Sequence, residues 1–500
     1  MITLILLLTF IAVAFAQLLM KRANLPPGPF PIPLLGNVPY IAYFAVRNGG
    51  IVEVLRSLKK KYGRVFTIWF GPVPTVHITD LEVAQDAMMN HGANYSDRWV
   101  PYLLHLTRNG MGIVASNGNH WLHHRRFSLH VLRNFGLGRN IIEERIMEEF
   151  NLKFRAVDCV IHESGSNVID PLPVFEVLVG SIINRLLFSE RFDSSSDDFF
   201  AMKRKVDNIA NKVSFLDLFA HKFMLSIPLL RRRYDRILGP FYQLKAYIRG
   251  QLERRKADIA AGKHLLDEEG RDYVDAYLIK MAQEMKENPK DTYFTEEALV
   301  INLLDLWIAG QETTITTILS GLTNLINYPE VMEKVREEIR KVTNNNRPLS
   351  LHDRPLTPYL IATITEIQRL ASIINMNLWR ISSEDSVVGG FPVPEGTPIT
   401  TQLSVLLSDQ DYFENPNEFD PSRYFNVDRL DQHVIPFGLG KRSCLGESLA
   451  RAELYLIIGN LLQRYKISPA DGLPSRDPSN PFGLLRRPKP FKVCSIKNSA

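Results

Sequence analysis

The chain has 500 residues, of which 45% are hydrophobic and 23% charged, and its formal net charge is +5. These values are typical of a globular protein with a substantial core, and so small a charge excess does not suggest nucleic-acid binding. The three cysteines, Cys159, Cys444 and Cys494, are odd in number and widely spaced. They therefore indicate neither a disulfide framework nor a zinc motif, and they favour a reducing compartment.

The first twenty residues depart from this soluble composition. Residues 2–20 carry no charge, and a helix of that length spans about 28 Å, close to the hydrocarbon thickness of a bilayer. Lys21 and Arg22 follow, so the positive-inside rule predicts a membrane anchor with the rest of the chain in the cytosol. A signal peptide cleaved near Ala16 is the alternative, and its basic start is missing. Glycosylation of the sequon at Asn94 would indicate a luminal domain instead.

Prolines alternate through residues 25–37. Such density favours stiff polyproline II and excludes helix. We therefore predict a membrane anchor at residues 1–20, a basic stop with a rigid proline hinge at residues 21–37, and a single domain from 38 to 500. No internal repeat or composition shift marks a further boundary.

The remaining pattern predicts a mainly α fold with a minor β-sheet region. Residues 64–78 read as two short strands around a Gly-Pro turn at residues 71–74. Helical patterns dominate from about residue 80, and extended stretches return near residues 387–399.

Trp121 and Arg125 are four residues apart and share one face of a predicted helix. The neighbouring His120, His123 and His124 raise the alternative of a metal site. No cysteine or carboxylate completes such a site locally.

Residues 213–230 are apolar with interspersed charge and precede three arginines at 231–233. An apolar face beside a basic cluster fits a segment at a membrane interface. The alternative is a core helix followed by a turn at Pro228.

A long helix is predicted from Thr295 to Asn327, about 50 Å if continuous. A glycine inside a helix costs about 1 kcal/mol relative to alanine. Ala309 and Gly310 would leave a notch beside Thr313, with room for a diatomic ligand. The alternative is a helix crossing in which Thr313 bonds its own backbone.

Glu366 and Arg369 lie three residues apart on one helical face, where they can pair, and Arg423 follows fifty residues later. An exposed pair would contribute about 0.5 kcal/mol. A buried one would matter far more.

Residues 437–446 read FGLGKRSCLG and open a helix. Cys444 would lie near the positive end of the helix dipole, which favours a thiolate. Gly438 and Gly440 allow the loop to turn beneath a flat ligand, and Phe437 and Arg442 could pack beside the sulfur and neutralise an acidic group. A haem iron held by a cysteine has these requirements. The run resembles the haem-binding signature of the cytochrome P450 family.

The resemblance covers nearly the whole chain, in the family's order of motifs, and is nearest to microsomal animal members of the family-2-like group. It implies a single large P450-type catalytic domain behind an N-terminal transmembrane helix, with haem b bound and Cys444 as iron ligand. It also implies that Glu366, Arg369 and Arg423 form a structural triad and that Glu312 and Thr313 manage protons. The further cofactor-binding residues that it implies are Trp121, Arg125, Ala309, Gly310, Arg380, Phe437 and Arg442.

The function implied by the resemblance is oxygen-dependent hydroxylation or epoxidation of a lipophilic small molecule at the endoplasmic reticulum membrane. Electrons would come from NADPH through a separate flavoprotein reductase, with cytochrome b5 as a further candidate donor. These partners would dock on a basic patch of Arg126, Arg133, Arg139 and Lys441.

Substrate contacts are expected, by position in the family, from residues 98–114, 303–307, 373–378 and 481–485. Trp307 is bulky enough to narrow that cavity. Two other functions stay open: a haem-thiolate isomerase or dehydratase that acts on a peroxide without a reductase, and a haem gas sensor without turnover.

Overall fold

The computed structural model shows a chain that is 59% helical and 10% strand, which confirms a mainly α fold with a minor sheet region. The residues that it describes are 2–134, 141–192, 202–204, 206–207, 213, 217, 219–267, 270–287 and 292–497. The helices of eight or more residues within them are Ile2–Ala23, Val38–Asn48, Ile51–Tyr62, Gly118–Leu132, Ile141–Ser164, Pro171–Phe188, Pro228–Ala260, Tyr273–Glu287, Glu296–Asn327, Pro329–Thr343, Pro358–Ala371 and Glu447–Arg464.

Short helical turns and strands connect these helices. The shorter helices and turns are Leu81–Gln85, Asp86–Asn90, Tyr102–Arg108, Lys222–Ser226, Leu351–Leu356, Leu403–Leu406, Arg423–Asn426, Leu430–His433 and Gly440–Arg442. The strands are β1 (Val65–Phe70), β2 (Val73–Ile78), β3 (Val168–Ile169), β4 (Arg380–Ile381), β5 (Ser386–Val388), β6 (Phe391–Val393), β7 (Pro398–Thr401), β8 (Tyr465–Pro469) and β9 (Val493–Lys497).

The largest sheet has the strand order β1-β2-β7-β4. The β1–β2 hairpin turns at Gly71, whose φ of +61° suits glycine, and this confirms the predicted strand pair. Strand β7 pairs in parallel with β2 and antiparallel with β4. An isolated bridge then joins Arg380 of β4 to Arg98, so the sheet edge brings two distant arginines together.

The helix Glu296–Asn327, the central helix below, confirms the predicted long helix. Its N-cap is Thr295, whose side chain accepts a hydrogen bond from the Ala298 amide, and Pro329 begins the next helix. Its 32 residues span about 48 Å. It packs against the helices Pro171–Phe188, Pro358–Ala371 and Glu447–Arg464, and its apolar side chains form much of the main core.

Among the described residues, one helix is long and apolar enough to cross a membrane, namely Pro171–Phe188. However, 78% of that helix is buried within the protein, beside the central helix, so we interpret it as a core helix. The N-terminal helix Ile2–Ala23 carries Lys21 and Arg22 in its last turn and so extends slightly beyond the predicted anchor boundary.

The proline-rich hinge is not helical, as predicted, but it is docked on the body. The Thr67 amide and hydroxyl donate hydrogen bonds of 2.9 Å to the carbonyls of Pro27 and Pro26, respectively. A Cβ on Gly28 would lie 2.0 Å from the Thr67 carbonyl oxygen, so only glycine fits there. The hinge therefore packs along β1 through these hydrogen bonds and is not a free spacer.

The alternative of a core helix ending in a turn at Pro228 is wrong. Pro228 begins the helix Pro228–Ala260, and a short 3₁₀ turn, Lys222–Ser226, precedes it. Proline suits a first helical position because its missing N–H would have no partner there. Phe223 and Leu229 are 60% and 75% exposed, so this segment presents apolar side chains to its surroundings. Residues 214–216 and 218 lie outside the described part.

The predicted triad is buried and fully hydrogen-bonded. Arg369 donates two 2.8 Å hydrogen bonds to Glu366, and Arg423 donates a third at 3.0 Å. Tyr424 donates its hydroxyl hydrogen to the same carboxylate at 2.7 Å. Arg369 also donates to two backbone carbonyls in the segment 407–416. The triad thus fastens the helix Pro358–Ala371 to the loops that precede the cysteine segment.

We predict that Arg369→Ala will destabilise the fold by about 3–5 kcal/mol, because it leaves the Glu366 carboxylate buried with one cation fewer. Chemical denaturation and the yield of folded protein measure the effect. Arg429→Ala is the matched control, since Arg429 is exposed and 4.0 Å from Asp428. A stable, folded Arg369→Ala protein would contradict the structural role of the triad.

Candidate active site

The cysteine segment makes a tight turn before the helix Glu447–Arg464, the cysteine helix below. The Cys444 amide donates to the Phe437 carbonyl at 2.9 Å, which closes the turn. Gly438 and Gly440 have φ of +74° and +71°, which are values that glycine adopts readily, as the sequence predicted. A Cβ on Gly440 would lie 1.8 Å from the Met88 carbonyl oxygen, so this glycine also permits close contact with a neighbouring turn.

The Cys444 thiol keeps accessible surface although protein atoms crowd around it. Burial raises the pKa of this thiol, and the Gly446 amide and Arg125 lower it by less. Desolvation therefore opposes the thiolate that the start of a helix favours. The open side of the sulfur suits a ligand whose own positive charge stabilises the thiolate, as a metal ion does.

Four buried or half-buried arginines gather beside this thiol. Burial, with smaller contributions from neighbouring arginines, lowers the pKa of Arg442 to about 8, of Arg380 to about 9 and of Arg98 to about 10. Burial likewise lowers the pKa of Arg125. Two carboxylates supply part of the opposite charge: Asp97, 4.0 Å from Arg442 and partly exposed, and the buried Asp305, which acts on Arg98 and is itself paired with Arg108. So much uncompensated positive charge favours a buried dianionic partner.

Hydrogen-bond donors at the same place also lack acceptors. The Trp121 Nε1 and the Arg98 Nε are buried and have no partner among the described residues. The Arg442 guanidinium lies 3.8 Å from the centre of the Trp121 ring, and Arg125 donates to the Ser443 carbonyl at 2.8 Å. These donors are arranged as a pair of propionates would require, so the residues present fit haem.

Arg98 was missed as a member of this group. We expected it at the start of a substrate-contact segment, since no local motif marks it. Its bridge to Arg380 arises from the sheet edge, which sequence spacing does not reveal.

Ala309, Gly310 and Thr313, which are predicted to form a notch on the central helix, have different surroundings. Ala309 is exposed and Thr313 half-buried, although most of this helix is buried. The Thr313 hydroxyl donates to the Ala309 carbonyl at 2.7 Å, which is the backbone bond of the alternative reading. A Cβ on Gly310 would lie 2.7 Å from Ile183, so Gly310 permits the crossing with the helix Pro171–Phe188. The backbone bond and the helix crossing of the alternative are therefore present, and the space for a diatomic ligand beside Ala309 stays a prediction.

Glu312 is held in an ion cluster that the sequence did not predict. Its two carboxylate oxygens accept hydrogen bonds from Lys203 and Arg487. Both cations also contact Asp207, at 2.6 and 3.1 Å. The cluster borders a cavity of about 510 Å³ between the central helix and the C-terminal loops. Since Lys203 and Arg487 are 109 and 175 residues from Glu312, no local pattern links them.

Comparison with known proteins identifies the family. The family model described as Cytochrome P450 matches residues 26–495. The chain belongs to the cytochrome P450 family. It is 38% identical to "Probable cytochrome P450 cyp-35D1" of Caenorhabditis elegans over 98% of both chains. It is also 33% identical to rat "Cytochrome P450 2C70", over 95% of this chain and 94% of that one, and 32% identical to human "Cytochrome P450 2C8", over 95% of each.

Two of the expected substrate segments of this P450 meet in the structure. Ile374 forms an isolated β-bridge with Leu485, and the backbone N–H of Asn375 donates a hydrogen bond of 3.1 Å to the Leu484 carbonyl. Trp307, in a third segment, is 3% exposed and belongs to the main core. The first two segments are therefore in contact, and Trp307 packs from the central helix into the main core.

The histidines near Trp121 pack as part of the P450 core. The rings of His120 and His124 are 4.2 Å apart, and His124 contacts the Tyr277 hydroxyl at 3.0 Å. Burial lowers the pKa of His124 to about 4, with a smaller contribution from His120, so the ring is neutral at physiological pH. These contacts account for the cluster as aromatic packing.

We predict that Arg98→Gln will speed haem loss roughly tenfold or more, because it removes a charge-assisted hydrogen bond to the cofactor. Transfer of haem to an excess of apomyoglobin measures the rate. Arg126→Gln is the control, as Arg126 is exposed on the helix that carries Arg125. Equal rates of haem loss from the two variants would remove Arg98 from the cofactor site.

Proposed function

We propose that this P450 is a haem-thiolate monooxygenase that inserts one atom of O2 into a lipophilic small molecule, by hydroxylation or epoxidation. The observation that carries the proposal is the open Cys444 thiol beside buried arginines that lack matching acids. Family membership supports it, since members of this family bind haem and are typically monooxygenases. Haem b would supply the redox-active iron at which molecular oxygen is bound and reduced.

The protein residues have separate tasks in this proposal. Cys444 would be the iron ligand, and Phe437 lies at the other end of the same turn. Ala309 would leave the accessible face of the central helix free of bulk, whereas the missing Cβ of Gly310 makes room for Ile183. The residues that would bind the two propionates are Trp121, Arg98, Arg125, Arg380 and Arg442.

Thr313 and Glu312 would manage protons as general acids. The Thr313 hydroxyl donates its hydrogen to the Ala309 carbonyl, so the lone pairs of the Thr313 oxygen are free to accept a proton. Thr313 could then release the hydrogen that it held before. Glu312 faces the cavity of about 510 Å³ and is held by Lys203 and Arg487. Proton delivery by Glu312 therefore requires that these two ion pairs open.

The electron donor would be an NADPH-dependent flavoprotein reductase, with cytochrome b5 as a further donor. Arg126 and Arg133 are exposed on and just after the helix that carries Arg125, and Lys441 is exposed in the cysteine segment. Exposed cations on one surface suit an acidic partner, with strong salt dependence. Arg139 lies outside the described residues.

The proposed location is the endoplasmic reticulum membrane, with the catalytic domain in the cytosol. Four described apolar side chains of the N-terminal helix, Val13, Phe15, Leu19 and Met20, are exposed. Exposed apolar residues at positions 223 and 229 add a further candidate membrane contact. An unglycosylated Asn94 in cells would agree with this topology.

We predict that Cys444→His will abolish the red-shifted Soret band that thiolate ligation gives the ferrous carbon monoxide complex. The other two cysteines supply the controls, since Cys159 is exposed on the helix Ile141–Ser164 and Cys494 lies in β9. Cys159→Ser and Cys494→Ser should keep the band. Retention of the band by Cys444→His would assign the ligand elsewhere.

We predict that Thr313→Ala will consume NADPH with less product and release more hydrogen peroxide, because proton delivery is lost. NADPH, product and peroxide are measured together with purified reductase. Thr317→Ala is the control, since Thr317 makes the same backbone bond one turn later, to the Thr313 carbonyl at 2.8 Å. Unchanged coupling in Thr313→Ala would remove Thr313 from the relay. The same assay separates the alternatives, as neither a peroxide isomerase nor a gas sensor needs NADPH.

A further inference from the structure

Glu453 is a buried carboxyl group that the proposed chemistry does not use. It lies in the cysteine helix, nine residues after Cys444, and is 1% exposed. Its Oε2 accepts a hydrogen bond from the Thr314 hydroxyl at 3.1 Å, and its Oε1 has no partner among the described residues. Thr314 follows Thr313 directly. The Glu453 contact thus joins the central helix to the helix that begins beside the cysteine.

Charged groups also lie on the cysteine helix and on the elements packed against it, and the buried ones besides Glu453 have other partners. On the packed elements, Arg336 donates to the Tyr465 carbonyl, Arg369 pairs with Glu366 and Arg354 covers the Tyr455 ring. On the cysteine helix itself, Arg451 pairs with Glu447 and Arg464 with Asp158. The acids bind arginine, lysine or backbone amides; they are Glu149, Glu312, Glu338, Asp353 and Glu366. No described ion pair includes Glu453.

A carboxylate in this position would be costly. An ionised group that is fully buried with one hydroxyl partner and no cation loses most of its solvation without compensation. The neutral acid avoids that loss and keeps the contact with Thr314. In agreement, burial raises the pKa of Glu453 to about 8, and the Thr314 hydrogen bond lowers it only in part.

We propose that Glu453 is a positioning residue that holds a proton at physiological pH and, in this neutral form, ties the central helix to the cysteine helix. Ionisation of Glu453 at alkaline pH would weaken the tie, since a buried charge would then lie between the two helices. The expected effect of Glu453 on thiolate ligation rests on the proposed function. The protonation state of Glu453 and its effect on the stability of the fold are independent of that function.

The direction in which stability changes with pH follows from the raised pKa of Glu453. The pKa of Glu453 is about 8 in the folded chain and about 4.3 when unfolded. The folded state therefore binds the extra proton between these values, and its stability falls as pH rises from about 4.3 to about 8. Below this window both states are protonated, and above it the loss is complete.

The test compares the haem-loaded protein with Glu453→Gln, which has the shape of the neutral acid and does not titrate. Denaturant unfolding at pH 5 to 9 gives the unfolding constants. The ratio of the wild-type constant to that of the variant should rise about tenfold per pH unit up to about pH 8 and then level off. Glu447→Gln, on the exposed side of the same helix, should keep the wild-type profile.

A second measurement covers the case in which Glu453→Gln does not fold. Infrared spectra of the wild type and of Thr314→Val, with ¹³C-labelled glutamate, should show a protonated carboxyl group at pH 7 that disappears near pH 8 in the wild type. In Thr314→Val its carbonyl frequency should shift, because the hydrogen bond is lost. Parallel unfolding profiles of wild type and Glu453→Gln, or no protonated glutamate at pH 7, would overturn the proposal.

The spectrum of the ferrous carbon monoxide complex tests separately whether Glu453 affects thiolate ligation of the iron. The wild type should lose the thiolate Soret band progressively above about pH 8, and Glu453→Gln should keep it. Loss of the band at the same pH in both proteins would refute the tie between the helices. Absence of the band at every pH would instead contradict the proposed function, while the unfolding and infrared results would still decide the state of Glu453.

Discussion

Buried positive charge around Cys444 is the constraint on which the arrangement of this P450 depends. Arg380 and Arg442 are almost fully buried and Arg98 is half-buried, and among the described residues Asp97 and Asp305 offset only part of their mutual repulsion. A fold tolerates such a group only if an anion completes it or if strong packing holds it in place. The sheet edge, the Trp121 ring and the turn at Gly440 supply that packing. A haem with two propionates would supply the charge.

The residues of the motif in the central helix lie on three faces of that helix. Gly310 allows close packing against Ile183, and Glu312 anchors an ion cluster with Lys203 and Arg487. Thr314 joins Glu453 of the cysteine helix. Only the face with Ala309 and Thr313 remains accessible. The small residues of the motif therefore serve both helix packing and chemistry, because adjacent positions on a helix point about 100° apart.

Motifs held together by short spacing could be predicted well. The pair Glu366 and Arg369, the turn of the cysteine segment and the cap of the central helix at Thr295 all depend on neighbours within a few residues. Helical and turn geometry fixes such contacts before the chain folds as a whole. The protonation of Cys444 was not predictable in this way, because its pKa depends on desolvation by distant parts of the chain.

The sequence by itself determined the family, the mainly α class, the order of the motifs and the residue types that suit a haem thiolate. The tertiary structure decided which distant groups join them: Arg98 through a sheet bridge, Lys203 and Arg487 at Glu312, and Glu453 at Thr314. It also decided that the hinge is docked on β1 and that Gly310 lies at a helix crossing. The physical reason is that spacing governs contacts within one element, whereas burial and charge are shared among elements far apart in the chain.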